Sequence, residues 1–337
     1  MASTKTTHVG SLPRTQNVVD FIFARENGTD YDPGAFDVTM TEAAADTVRR
    51  QVEAGIDIVS DGETSKISYA TYVKDRYTGF DGDSPRNAPA DLKLFPSFLE
   101  RLKDDGGTPT YARPECVGEV RSKGQGELEK DIANLQAGMA AHGAGAGFMN
   151  AASPGVISLF LQNRFYATRD AYLAALSDAM RDEYRTIVDA GLMLQLDCPD
   201  LALSRHMLFA DLTDAEFVKI ADSHVEALNA ALDGIDPARV RVHICWGNYE
   251  GPHVCDIGMD KVLERIDAEN NRGLRNFGHK VRLLIEVPRE HWSRIGSVAN
   301  YPDAYRYDRK TKEQIPSPFA EAQVDGRRVT ADGLDAL

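Results

Sequence analysis

Gln51-Val-Glu-Ala-Gly-Ile-Asp-Ile-Val-Ser-Asp61 and Val188-Asp-Ala-Gly-Leu-Met-Leu-Gln-Leu-Asp197 decide the fold, because the two segments carry the same message. Each closes a helix, stops at Ala-Gly, runs through an apolar stretch and ends on a carboxylate. Glycine at the stop supplies a left-handed cap, and a continuous apolar run is what a strand buried on both faces requires. A looser third copy covers residues 135–150. Helix, stop and strand together are the αβ half of a repeating βα unit.

Working outward, apolar strand candidates fall at residues 8–12, 56–60, 116–120, 147–151, 192–197, 240–245 and 281–287. Helical periods over 41–54 and 171–190 lie between them, as does a stretch opened by the capping box Thr213-Asp-Ala-Glu216 and closed near Gly234. Such alternation predicts an α/β fold with a parallel sheet wrapped in helices. Seven such runs favour a (β/α)8 TIM-type barrel, with its catalytic face at the C-terminal strand ends. The final strand is not obvious, since residues 301–312 are dense in Tyr, Asp, Arg and Lys. Residues 1–337 therefore read as a single catalytic barrel with an insertion at 74–115 and a diverged tail from about 293. The insertion carries a short amphipathic piece at 96–102, and either a lid or a solvated excursion suits it.

The 38 basic and 52 acidic residues leave a net charge of −14, which disfavours nucleic acid or an anionic membrane as a partner and suits a small-molecule enzyme. No basic-then-apolar leader opens the chain, and no apolar run reaches the roughly 18 residues a membrane span needs, so a cytoplasmic location is expected. The four cysteines, Cys116, Cys198, Cys245 and Cys255, form no disulfide framework and are expected as reduced thiols available to a metal. A homo-oligomer is compatible with all of this.

His243-Ile-Cys-Trp-Gly-Asn248 puts an imidazole and a thiol at i and i+2 on a strand, hence on one face, followed by a turn at the sheet's mouth. That pair suits zinc. A small buried cysteine beside a hydrogen-bonded core histidine satisfies the same spacing. Other predicted strand ends carry Ser11, Glu63, Asp197 and Glu286. Ser60-Asp-Gly-Glu63 suits the binding of an amino group, or is a plain Asp-Gly turn. Gln195 and Asp197 share a strand face, so either a ligand or a structural network must satisfy them. Glu286 is a candidate third metal ligand or an ordinary acid at a loop edge.

Together these residues resemble the catalytic barrel of the cobalamin-independent methionine synthase family. The resemblance is carried by His8-Val-Gly-Ser-Leu-Pro-Arg14, Val59-Ser-Asp-Gly-Glu63, Ala152-Ser-Pro-Gly155, Gln195-Leu-Asp197 and His243-Ile-Cys245, which follow one another in family order. It implies a (β/α)8 barrel whose zinc ion activates a substrate thiol toward an alkyl donor. It implies His243, Cys245 and Glu286 as zinc ligands. Ser11, Glu63 and Asp197 would hold the amino-acid part of the thiol, with Glu63 and Asp197 as the catalytic carboxylates. The family's last ligand is a later cysteine; none follows Cys255 here, which makes Cys255 the candidate substitute. The family's acid histidine has no recognisable match, and His291 lies in the right general region. The chain resembles the short, single-barrel relatives. The expected activity is zinc-dependent methyl transfer from 5-methyltetrahydrofolate, or a similar folate-like donor, to homocysteine or a related thiol. The alternatives are an epoxide-to-coenzyme M type thiol transfer and a catalytically silent ligand-binding barrel.

Overall fold

In the first long helix, Pro33–Glu53, the inward positions Phe36, Met40, Ala44, Val48 and Gln51 recur at helical spacing and are buried. Asp32 opens it by accepting from the amides of Gly34 and Ala35, with Pro33 in the first turn where a missing N–H costs nothing. Ala54 and Gly55, the latter at φ 77°, close it. Helices Gly126–His142 and Arg169–Asp189 likewise give way at Gly143 and Gly191, both with positive φ. Each of the three repeated segments read from the sequence is therefore a helix stop followed by an extended run. The Thr213 capping box also forms, with the Thr213 hydroxyl and Glu216 carboxylate bonding reciprocally at the start of helix Asp214–Ala231.

The computed structural model describes residues 5–85, 89–104, 111–247, 253–258, 260–262 and 282–286, and the strand pairs 306–307, 314–315, 323–324 and 327–328. Four parallel strands, Phe148–Ala152, Met193–Asp197, Val240–Cys245 and Arg282–Glu286, lie side by side in chain order. Parallel bridges extend this order backwards, from Gly147 to Val59 and from Ile58 to Thr7. The molecule is thus an α/β protein built on a parallel sheet.

The sheet is strongly curved. Thr7 and the Val240–Cys245 strand are four strand steps apart, about 19 Å on a flat sheet at about 4.8 Å per step. Even so, the Arg241 guanidinium donates to Thr7 Oγ1 at 3.0 Å and to the His8 carbonyl at 3.2 Å. A side chain spans that gap only if the sheet rolls back on itself. Arg241 also lies 3.5 Å from the centroid of the Phe148 ring and donates to Gln195 Oε1 at 2.8 Å, so it crosses the rolled interior.

One expected strand is different in kind. Residues 116–120 do not join the parallel sheet; Glu115–Cys116 pairs antiparallel with Phe80–Asp81 in a two-stranded ribbon. Gly79, at φ 90°, backs onto Gly118 and Glu119 so closely that a Cβ there would meet the Gly118 carbonyl oxygen at 2.6 Å. This backbone-to-backbone approach ties the run into the insertion.

The chain divides into two compact units. The first comprises Met1–Ala90, Pro109–Trp246 and Cys255–Glu286; the second comprises Asp91–Thr108, Gly247–Val254 and Val287–Leu337. The sheet belongs to the first. The second holds the helix Pro96–Asp104 expected from its amphipathic pattern, and the amide of Val254 donates to Asp91 within it. Closure of the sheet by further strands, and His291, lie outside the described residues.

Candidate active site

The first unit gathers its polar side chains at the C-terminal end of the sheet. Strand Met193–Asp197 ends on Asp197, and strand Val240–Cys245 carries His243 directly opposite it in register. Asp197 Oδ1 accepts from His243 Nδ1 at 2.9 Å and from Gln195 Nε2 at 2.9 Å, while Oδ2 accepts from Asn150 Nδ2 at 3.0 Å. Gln195 and Asn150 also donate to the Val9 carbonyl, at 2.5 and 3.1 Å, which draws the first segment into the same cluster.

Glu63 arrives by a different device. Gln51 brackets Ser60 with two hydrogen bonds, to its carbonyl at 2.7 Å and from its amide at 3.0 Å, fixing the end of that extended segment. Asp61 then accepts from the Glu63 amide at 3.0 Å, and Gly62, at φ 66°, makes the turn. The Asp-Gly turn and the inward carboxylate are parts of one motif. Ser11 Oγ donates to Glu63 Oε2 at 2.5 Å. Gly10 permits the approach, since a Cβ there would stand 3.2 Å from Glu63 Oε1.

Two buried carboxylates in one place repel each other. Burial first, and then the charge of Asp197, push the Glu63 carboxyl above the usual carboxylate range; Lys66 and the Ser11 hydrogen bond act in the opposite sense. Asp61 is also raised, again by burial first. The Lys66 ammonium donates to the Asn150 carbonyl at 2.7 Å and lies 4.5 Å over the Tyr72 ring.

His243 and Cys245 sit two residues apart on one strand, both buried. Asp197 holds the imidazole through Nδ1, the carboxylate–histidine arrangement that fixes ring orientation and directs Nε2 to a metal. Backbone register puts Glu286 opposite Cys245; its side chain lies outside the described residues. Cys255 is half-buried. Trp246 Nε1 donates to the Ile257 carbonyl at 2.8 Å, tying the segment that carries Cys255 back to the end of the Val240–Cys245 strand. Among the described residues, no third His, Cys, Asp or Glu converges on His243 and Cys245. An imidazole oriented by a carboxylate and a thiol on the same strand face nevertheless fit a zinc ion, with Glu286 opposite Cys245 in backbone register and Cys255 two residues before Ile257, whose carbonyl Trp246 binds.

Several contributors were not legible as site residues. Asn150 and Lys66 join the network above, and Arg14 donates to the carbonyls of Glu63 and Lys66 at 2.7 and 2.9 Å. Tyr69 sits near the sulfur end: burial first, then Cys245, hold its hydroxyl well above the ordinary tyrosine range, and its ring meets Phe160 edge to face at 5.8 Å. In Ala152-Ser-Pro-Gly155, by contrast, the residues serve the scaffold. Ser153 caps the helix Pro154–Phe160 and donates to Asp200 at 2.7 Å, and a Cβ on Gly155 would collide with that carboxylate. A cavity of about 300 Å³ lies beside the first loop, lined by residues including His8, Leu12, Arg14, Thr47 and Thr64, and neither His243 nor Cys245 borders it.

Among curated relatives, a methionine synthase from Sulfolobus acidocaldarius is 22% identical over 292 residues, which are 85% of this chain and 72% of that one. A 2-hydroxypropyl-CoM lyase from Xanthobacter autotrophicus is 26% identical over 255 residues, 73% of this chain and 57% of the lyase. In fold, the chain is similar to a B12-independent methionine synthase from Shewanella sp. W3-18-1, solved in complex with selenomethionine. The TM-score is 0.51 at 20% identity, over 72% of this chain and 61% of that protein. A Listeria monocytogenes protein assigned as a vitamin-B12-independent methionine synthase gives a TM-score of 0.54 at 15% identity, over 85% and 81% of the two chains. No family model matches the chain. No described helix is long and apolar enough to cross a membrane.

Proposed function

We propose that this chain, which belongs to the cobalamin-independent methionine synthase family, is a zinc-dependent transferase moving a methyl group from a 5-methyltetrahydrofolate-type donor to homocysteine or a closely related amino thiol. The architecture we propose for it is a closed (β/α)8 barrel forming one catalytic unit. The observation that carries the reading is the meeting of Ser11, Glu63, Asp197 and His243 at one end of the parallel sheet, with Cys245 on the same strand face as His243.

In this reading the substrate's ammonium lies against Glu63, whose carboxylate is fixed by Ser11 and made more basic by burial and by Asp197. Asp197 has three of its acceptor positions filled by Gln195, Asn150 and His243. Its larger share of the work is to orient the imidazole, with its remaining acceptor capacity turned to the ammonium. His243 through Nε2, Cys245, Glu286 and Cys255 would hold zinc. Bound zinc supplies the positive charge that favours thiolate over thiol near neutral pH. With amine and sulfur held at fixed points, sulfur faces the methyl carbon; the new S–C bond forms as the donor's C–N bond breaks, and the released nitrogen takes up a proton.

Kinship with the coenzyme M lyase favours a second reading, alkyl transfer to a sulfonate thiol. The electrostatics of the site argue against it, because two buried carboxylates attract an ammonium and repel a sulfonate. Zinc measured on purified protein tests the metal assignment: stoichiometric zinc in the parent and its loss in Cys245→Ser are expected, and zinc unaffected by that substitution sinks it. Transfer of label from a methylated folate to homocysteine tests the reaction.

A further inference from the structure

Glu63 is the one non-glycine residue at positive φ among the described residues, at 55°. A side chain there is strained and stays only where neighbours hold it. Its amide is held by Asp61, and its carbonyl accepts from the Lys66 amide at 3.1 Å and from Arg14 Nη2 at 2.7 Å. The same Nη2 donates to the Lys66 carbonyl at 2.9 Å, so one guanidinium straps both ends of the turn that follows Glu63. Between Ser11 and Arg14, the Leu12 amide donates to the Gly62 carbonyl at 3.1 Å. A single four-residue stretch thus grips the carboxylate of Glu63 through Ser11, and its backbone through Leu12 and Arg14.

Arg14 also borders the cavity of about 300 Å³. Its two carbonyl partners set its place. Burial works against its cation, and the nearby Glu63 and Asp61 work in favour of it. An arginine remains charged in such a setting, so the strap is a charge-assisted one.

We propose that Arg14 is a positioning residue: by clamping the Glu63 and Lys66 carbonyls it holds Glu63 in its left-handed conformation and aims that carboxylate at the substrate's amino group. This inference rests on the amino-thiol reading of the site. The test uses the full-length, zinc-supplied protein and two probes, homocysteine and 4-mercaptobutyrate, which is homocysteine without its amino group. Binding is measured calorimetrically for the parent, R14Q, R14K, E63Q and the double variant R14Q/E63Q, with zinc content and Tm recorded for each.

R14Q is expected to weaken homocysteine by about tenfold while moving 4-mercaptobutyrate by less than about twofold, and to add nothing further in the E63Q background, as coupled residues do. R14K, which keeps the charge and can reach the carbonyls, is expected to fall between parent and R14Q; it carries the test should R14Q fail to fold. Equal weakening of both probes, or full additivity with E63Q, overturns the proposal and leaves Arg14 a role in the fold alone. If E63Q itself does not separate the two probes, the amino-thiol reading fails first, and the proposal falls with it for lack of anything to position.

Discussion

Two buried acid clusters in the first unit are built on opposite principles. Glu183 and Asp131 share the Arg76 guanidinium, at 2.9 and 2.6 Å, and Glu183 also accepts from Tyr72 at 2.6 Å and Tyr77 at 3.1 Å. Burial works against the Arg76 cation, and the two carboxylates more than offset it, so its pKa is raised. Glu63 and Asp197 have serine, amide and imidazole donors instead, and Lys66, which donates to a carbonyl, acts on Glu63 through its charge at a distance. In the first cluster one guanidinium bonds directly to both carboxylates, as suits scaffolding, whereas in the second the carboxylates are held by a hydroxyl, side-chain amides and an imidazole, which leaves room for a cationic substrate group to bond them directly.

The sharpest way to break this contrast is to remove the compensating cation. Arg76→Met should cost about 3–5 kcal/mol in urea denaturation, since it strands two buried carboxylates. A loss within 1 kcal/mol would mean the cluster is not the scaffold described. Glu63→Gln should act in the opposite direction on each property. Homocysteine binding should weaken by about 1.5–3 kcal/mol for the loss of a charged hydrogen-bonding partner, read by calorimetry.

Stability, however, should rise. A carboxyl raised in the folded state favours folding while protonated, and that contribution is lost as pH climbs from the ordinary carboxylate range through the raised value. Glu63→Gln should therefore melt above the parent at pH 7, with the gap closing as pH falls below about 4. Equal melting curves at both pH values would remove the electrostatic half of the comparison. At the small end, Thr213→Ala, outside both clusters, should cost about 1 kcal/mol through the lost cap and leave homocysteine binding unchanged.

Local rules made much of the fold readable. The Ala-Gly stops, the Thr213 box and the apolar runs at 192–197 and 240–245 announce themselves over a few residues, and the structure builds each as expected. The run at 116–120 misled for the same reason: apolar content reports burial, while antiparallel pairing with Phe80–Asp81 depends on the glycine pair Gly79 and Gly118 coming together in space. In the site, Ser11, Glu63, Asp197 and His243 were legible as strand-end residues, and the structure gathers them. Asn150 and Lys66 were not, because each acts by bridging segments distant in sequence, and Arg14, although it closes the motif His8–Arg14, meets the Glu63 and Lys66 carbonyls only in the folded chain. The bond between Asp197 and His243 was hidden likewise, since it exists only when two neighbouring strands are in register.

The Glu63–Asp197 end, whose carboxylates are held by a hydroxyl, side-chain amides and an imidazole, is expected to select a thiol bearing an ammonium. The most direct test is calorimetric titration of the zinc-supplied protein with homocysteine and with 2-mercaptoethanesulfonate under identical conditions. Homocysteine is expected to bind at least about tenfold more tightly, the worth of roughly one charge-assisted hydrogen bond. Equal binding, or preference for the sulfonate, would contradict it.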